Sequence, residues 1–507
     1  MATPIKLHPE NSKLFEFRDK PLVLLTATEH YGAVMNRPFR FEEYLHDAAA
    51  QGITLTRLFT LFRELQTPIN PYSTCKPETP DLITPFRRTG PGRAHDRELK
   101  FDLDQPNPEF YDRLHRFLSL ASELGIIVEV VLFCNTYTSD VWSLNPLHSH
   151  NNINDVGKIA WPEYLSQRNA KIYAYQRAHL TRIVTETNRY ENVIYEICNE
   201  PGGDVTQVDG VSGDYPTCAE VNTWLASMIA EIRRLEAEMA HQHLTAGQEA
   251  FSYTPFTQGA DCSFQELDYD VVNMHPLPNT VYAGKSYHLG DFMSKQLALR
   301  PLRDFCLATY DEQKPLNQDE DNIASQYKDE EAWTIHRKRA WTTLLSGAHY
   351  DYIDFSITIY TPTGTPEARR AIRSWMKILA EFVHSFDLGW CYPLPNLVKS
   401  APEFTLDVTF GILGEDFCVY LADERELPAA RDLPDGATGD AAAGTPIAGD
   451  LVLDLPGTTY VVRCFDPASG LYAPALRVEG GPQTRITLPT FSHDLAIRIT
   501  RHNVLND

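Results

Sequence analysis

Between residues 20 and 387 the chain alternates between short apolar runs and longer amphipathic ones. The short runs fall at 21–25, 53–59, 126–133, 192–200, 244–248, 271–275, 315–320 and 350–356. Amphipathic stretches at 41–51, 109–124, 161–189, 221–239, 291–313, 330–346 and 366–386 separate them. Strands interleaved with helices predict parallel pairing, because each strand must be re-entered by a crossover. Strand–helix units repeated eight times predict a closed (β/α)8 TIM barrel. Gly52 and Gly125 stand where two of the helices should stop.

From residue 388 the rhythm changes to short strands at 406–410, 417–421, 459–463 and 495–499, with a hairpin turn at 466–470. The expectation is a catalytic barrel with an N-terminal β-hairpin over 1–387, then a small β-sandwich accessory domain over 388–507. Residues 429–449 are a low-complexity stretch of Ala, Gly, Asp and Pro. The segments 63–104 and 135–160 show no clear element of their own. Both follow strands, so both belong to the open face of the barrel, where they would deepen a cleft into a pocket.

The 507 residues include 45 basic and 68 acidic side chains, a net charge of −23. That balance argues against nucleic acid and anionic membranes as partners. No apolar run is long enough to span a bilayer. The first residues lack the apolar core of a signal peptide. The nine cysteines contain no CxxC spacing, and several, among them Cys134, Cys198, Cys306, Cys418 and Cys464, sit in apolar segments. Buried free thiols are therefore expected, which favours a reducing, cytoplasmic setting.

The chemistry concentrates at strand ends. The run Asn192 to Cys198 leads straight into Asn199-Glu200-Pro201, and Lys314-Pro315-Leu316-Asn317-Gln318 leads into Asp319-Glu320-Asp321. Two carboxyls across one cleft are the minimal equipment for cleaving a glycosidic bond. Arg57 closes the second strand and His275 the sixth, while Glu29-His30-Tyr31 follows the first and is a candidate hydroxyl-binding cluster. Trp142, in the connection after the third strand, is a candidate sugar-stacking platform. His148 and His150 are a poor metal set without a convergent Cys or Asp, so neither metal nor cofactor is expected.

Residues 194–201 resemble the fourth-strand signature of the clan A glycoside hydrolases, and Arg57, His275 and the Lys314-Pro315 lead into an acidic tip extend the resemblance across the barrel. The resemblance implies Glu200 as general acid/base, Asn199 bonding a sugar hydroxyl beside it, and a seventh-strand Glu as nucleophile. Glu320 is the only Glu at that tip; Asp319, Asp321 and the earlier Glu312 are the alternatives. Arg57 would keep the nucleophile ionised, and His275 would orient it or bind substrate. The clan commonly places a Trp at the eighth strand's tip, whereas this chain reads Asp354-Phe355-Ser356-Ile357. The expected activity is retaining, exo-acting hydrolysis of a β-linked glycoside. The rival readings are a non-catalytic carbohydrate-binding barrel and a metal-dependent barrel hydrolase or lyase.

Overall fold

The computed structural model describes residues 3–26, 31–63, 77, 79–259, 264–277, 279–290, 298–321, 330–352, 366–425 and 442–502. Its centre is an eight-stranded parallel sheet. The strands are β1 (Leu25–Thr26), β2 (Leu55–Phe59), β3 (Ile127–Cys134), β4 (Val193–Asn199), β5 (Thr245–Gly247), β6 (Val271–Met274), β7 (Leu316–Asp321) and β8 (His349–Tyr352). They pair in chain order, with β8 returning to β1. The ring closes where Thr54 donates its backbone N–H to Leu25 at 2.9 Å. Every residue of β3 and β4 is buried, as strands covered on both faces require.

The helices are α1 (Phe41–Ala50), α2 (Pro108–Leu124), α3 (Ala170–Thr187), α4 (Cys218–Glu236), α5 (Leu299–Ala308), α6 (Glu330–Leu345) and α7 (Pro366–Val383). Their starts are chemically marked. The side chain of Asn107 accepts from Glu109 to open α2, Asn169 accepts from Ile172 to open α3, and Thr217 with Glu220 forms a capping box at α4. The Asn169 cap splits the helix expected over 161–189, leaving a 3₁₀ turn at Trp161–Leu165 ahead of it. Among the described residues the β5–β6 connection holds no long helix. It carries the hairpin strands Phe251–Tyr253 and Phe256–Gly259 instead.

Two further departures concern strands. Lys20–Leu22 does not join the barrel; it pairs with Phe15–Phe17, which pairs with Lys6–Leu7, in a three-stranded antiparallel sheet. Ile5, Phe15 and Phe17 of this segment pack on Leu55, Ile127, Ile194 and Val271. Those residues lie at or beside the starts of β2, β3, β4 and β6, so the segment plugs the closed end of the barrel. The stretch after β2 is not featureless either: Phe86–Arg93 and Leu99–Pro106 form a hairpin. It escaped notice because its Arg, Gly and Pro residues break the apolar alternation that marks a half-buried strand.

Beyond α7, antiparallel sheets take over. Strands β9 (Thr405–Ile412), β10 (Asp416–Asp423), β12 (Thr459–Asp466) and β14 (Asp494–Arg501) form the larger sheet, in the order β9-β10-β14-β12. Val398–Ser400, β11 (Asp450–Leu453) and β13 (Thr484–Thr487) form the smaller one. A buried apolar cluster including Phe417, Val419, Leu451, Ile486 and Ile497 fills the space between them. The other face of the larger sheet shares one continuous core with the barrel helices. Trp341 of α6 stacks on Tyr420 at 5.2 Å, and Phe382 of α7 meets Phe465 at 4.9 Å.

Candidate active site

Side chains of β3, β4 and β7 converge on one buried guanidinium of β2. Arg57, fully buried midway along β2, sits inside a cage of carboxylates. Its Nη2 donates to Glu196 at 2.5 Å and lies 3.2 Å from Asp319; its Nη1 reaches Glu320 at 3.0 Å, and its Nε stands 3.4 Å from Glu129. Isolated buried carboxylates are costly, and a central cation is what makes such a cluster tolerable. Asn199, also buried, accepts from Arg57 at 2.9 Å and donates to Tyr137 Oη at 3.1 Å.

Glu200 and Glu320 stand at the rim of this cage, with side chains 26% and 13% exposed. Both have left-handed backbone, with φ of 47° and 60°. A non-glycine residue in that region is strained and is held there by its surroundings. At β7 the ladder shifts register between Gln318 and Asp321, and with Glu320 left-handed the regular alternation breaks, so Asp319 and Glu320 both reach Arg57 and His275 while Asp321 turns to the helix side. Asp321 is bound by Arg339 at 2.5 Å and Tyr350 at 2.9 Å, leaving Glu320 turned toward the cleft.

His275, just past β6, lies between the carboxyls. Its Nδ1 is 3.0 Å from Glu200 Oε1 and 3.4 Å from Glu320 Oε2, while its Nε2 is 3.2 Å from Asp319. Glu320 also accepts from Tyr31 at 2.7 Å, and Glu200 from Tyr137 at 2.6 Å. The facing oxygens of Glu200 and Glu320 lie within 4.8 Å of each other. That is the close spacing of a retaining pair; an inverting pair stands roughly 6.5–9.5 Å apart.

Charge follows from this geometry. Burial alone would strip the proton from His275, but Glu320, Asp319 and Glu200 outweigh it and push the imidazole well above its usual range. Burial pushes Glu200 up; the bonds from His275 and Tyr137, with Arg57 behind, outweigh it and hold the carboxyl below its usual value. Glu320 is raised, by burial first and by Glu200 and Asp319, against the pull of His275 and Arg57. For Asp319, Arg57 and His275 overcome burial and hold the carboxylate ionised. Glu129 is driven well above the carboxylate range by burial and by neighbouring Glu196. Glu200, His275 and Glu320 therefore titrate as one coupled group.

Arg57, Asn199, Glu200, His275 and Glu320 are thus one constellation. Trp142 is not part of it. The short helix Ser139–Trp142 turns its ring inward, against Tyr164 at 5.2 Å and His148 at 5.6 Å, and its Nε1 donates to the carbonyl of Ile159. With 3% of its surface exposed, it offers no platform to a sugar. Glu29, His30 and the tip at 353–356 lie outside the described residues. Tyr137, Glu129, Glu196 and Asn135, which donates to the Glu200 carbonyl at 2.9 Å, also belong to the site, and Asp319, an alternative nucleophile by sequence, lies in it as a fully buried carboxylate beside Arg57. For three of them a signal existed: a charge inside an apolar parallel strand, as in Ile127–Cys134, Val193–Asn199 and Leu316–Asp321, must have a buried partner. A cavity of about 760 Å³ lies elsewhere, between barrel and sandwich, lined by Arg337, Trp375, Tyr472 and Phe491.

Comparison with known proteins agrees with this arrangement. Residues 90–340, which include Glu200, His275 and Glu320, match the family model described as cellulase, glycosyl hydrolase family 5. A solved glycoside hydrolase superposes with a TM-score of 0.59 at 12% identity, covering 100% of this chain and 98% of that one. A glycoside hydrolase family 5 structure from Bacteroides vulgatus ATCC 8482 gives 0.59 at 12% identity over 98% of this chain and 93% of its own. At such identity the likeness is one of fold. No curated protein matches the chain by sequence. Over residues 90–340 the chain matches a clan A glycoside hydrolase family, and it carries the (β/α)8 barrel and the paired strand-end carboxyls of a retaining O-glycosyl hydrolase.

Proposed function

We propose that the chain hydrolyses a β-linked glycoside from one chain end, with Glu320 as nucleophile and Glu200 as general acid/base. The observation that carries this reading is the pair of strand-end carboxyls within 4.8 Å, one gripped by Arg57 and Tyr31, the other by His275 and Tyr137. Glu320, its charge oriented by Arg57, attacks the anomeric carbon. Glu200 protonates the departing oxygen, and a glycosyl ester forms on Glu320. The proton for that step resides on His275 in the resting site and crosses the 3.0 Å bond to Glu200 when sugar displaces water from the cleft. Lost hydration raises Glu200, the more exposed of the two carboxyls. Once Glu320 is esterified it no longer supports the imidazolium, and Glu200, again a carboxylate, draws a proton from the attacking water.

A β-linkage is supported by the cellulase family match. Exo action is supported by the wall beside the cleft. The hairpin after β2 is sewn to the connection after β3: Phe101 donates to the Asn151 carbonyl at 2.8 Å, Ile153 to Phe101 at 2.9 Å, and Leu103 to Asn154 Oδ1 at 2.9 Å. Such a wall closes one end of a groove. Residues 1–387 are read as the catalytic unit and 388–507 as its support.

A panel of α- and β-nitrophenyl glycosides, followed by trapping with the matching 2-fluoro glycoside, tests the reading. The expected label is on the Glu320 peptide, the product retains its anomeric configuration, and polymer solutions release sugar without losing viscosity. A label on another carboxylate, or turnover of α-glycosides only, refutes it.

A further inference from the structure

The three atoms that meet at the mouth of the site are an imidazole nitrogen and two carboxylate oxygens. This is the donor set of a zinc-like divalent ion, in which bond lengths of about 2.1 Å at tetrahedral angles put neighbouring donors roughly 3.4 Å apart. His275 Nδ1 stands 3.0 Å from Glu200 Oε1 and 3.4 Å from Glu320 Oε2, and all three atoms lie within 4.8 Å of one another. Little movement is needed for them to close on one ion. The far side of the imidazole is prepared as well: Asp319 holds Nε2 at 3.2 Å, so that Nδ1 faces the cleft. A carboxylate behind a histidine is the outer-shell arrangement that orients imidazole ligands and raises their basicity in zinc sites. The remaining coordination position would open to the cleft, on the side where Glu200 is exposed.

We propose that Glu200, His275 and Glu320 form a second-use site for a borderline divalent cation such as Zn²⁺, and that the ion, by occupying it, switches the hydrolase off. Binding rests on the geometry of the three donors alone; the inhibitory consequence rests on the catalytic roles given above. An ion there ties up the Glu320 oxygen that faces His275, and its positive charge beside Glu200 opposes protonation of that carboxyl. Mg²⁺ and Ca²⁺ do not compete, because they prefer all-oxygen shells of six or more ligands. The deeper carboxylate set, Glu129, Glu196 and Asp319, is closed to ions because the Arg57 guanidinium already contacts all three. A rival location is the surface group His95, His148 and His150, whose rings lie 5.0 Å and 4.2 Å apart about His95.

The experiment titrates the full-length, chelator-stripped protein with ZnCl₂ by calorimetry in buffers of differing ionisation enthalpy, alongside turnover of a β-nitrophenyl glycoside. Expected is one site, inhibition competitive with substrate and reversed by EDTA, and no effect of MgCl₂. Binding should vanish in His275→Asn and in Glu320→Gln, each checked for native near-ultraviolet dichroism, and persist in the triple variant His95→Ala, His148→Ala, His150→Ala. Absence of zinc binding in an active enzyme overturns the proposal and leaves the hydrolase standing. Loss of binding in the triple variant also overturns it, moving the ion to the surface histidines. Zinc bound through His275 in a protein that turns over no glycoside supports the site and refutes the function instead.

Discussion

Glu200 and Glu320 differ in what holds them, and their replacement should differ accordingly. Glu200→Ala should lower turnover of glycosides with poor leaving groups by roughly 10²–10⁴-fold. It should largely spare activated aryl glycosides when azide replaces the activated water. Glu320→Ala should abolish turnover of both, because no ester can form. Steady-state rates on paired substrates check this, and substantial residual activity in Glu320→Ala would move the nucleophile elsewhere. The pH profile tests His275. In the proposed mechanism, activity needs Glu320 ionised and one proton between Glu200 and His275. The acid limb therefore falls where Glu320 titrates, above the ordinary carboxylate value, and the alkaline limb where the pair loses its proton, above the ordinary imidazole value. His275→Asn leaves Glu200 to hold that proton alone, so the alkaline limb of kcat/KM should move to lower pH. An unmoved limb would remove His275 from the proton inventory.

At the scale of elements, the barrel strands deliver the site, but their connections complete it. Tyr137, in the connection after β3, donates to Glu200, and the same connection is braced by side-chain amides. Asn151 donates to the carbonyls of Ser143 and Asn145, and Asn152 to those of Pro146, His148 and Val156. Gly157 closes this loop at a φ of 86°, and a Cβ there would lie 1.8 Å from the Leu147 carbonyl oxygen. Gly157→Ala must push that backbone apart in addition to adopting a left-handed conformation. The expected cost is about 1–3 kcal/mol, read as a lower urea midpoint. An unchanged midpoint would mean the loop is not tied to the global fold. Trp142 and His148 lie in this loop too, and the sequence reading mistook its packing aromatic for a ligand platform. Composition alone does not say which way a loop ring faces.

For the whole molecule, the decisive contact is between barrel and sandwich. Arg337 of α6 donates to Asp494 of β14 at 2.6 Å, with both side chains buried, and Tyr420 shares the same carboxylate at 3.0 Å. Asp494→Ala would strand a buried guanidinium and should cost roughly 3–5 kcal/mol; the double change Arg337→Met, Asp494→Leu should recover much of it, by thermal unfolding. Truncation after Phe386 should expose the face of Trp341 and Phe382 and yield aggregating or heat-sensitive protein, while a soluble barrel of unchanged Tm would make the interface dispensable. The sequence by itself determined the order of strands and helices, because periodicity and caps are local. It also located Arg57, Asn199, Glu200, His275 and Glu320, because a parallel barrel sends every strand end to one face. It did not disclose the hairpin after β2, whose polar strands are paired only with each other, nor that Lys20–Leu22 leaves the barrel. Nor did it reveal that Asp319, Glu196 and Glu129 enclose Arg57, or that Tyr31 and Tyr137 hold the two carboxyls. Those pairings join residues as many as 289 positions apart, and only closure of the ring brings such partners within hydrogen-bonding distance.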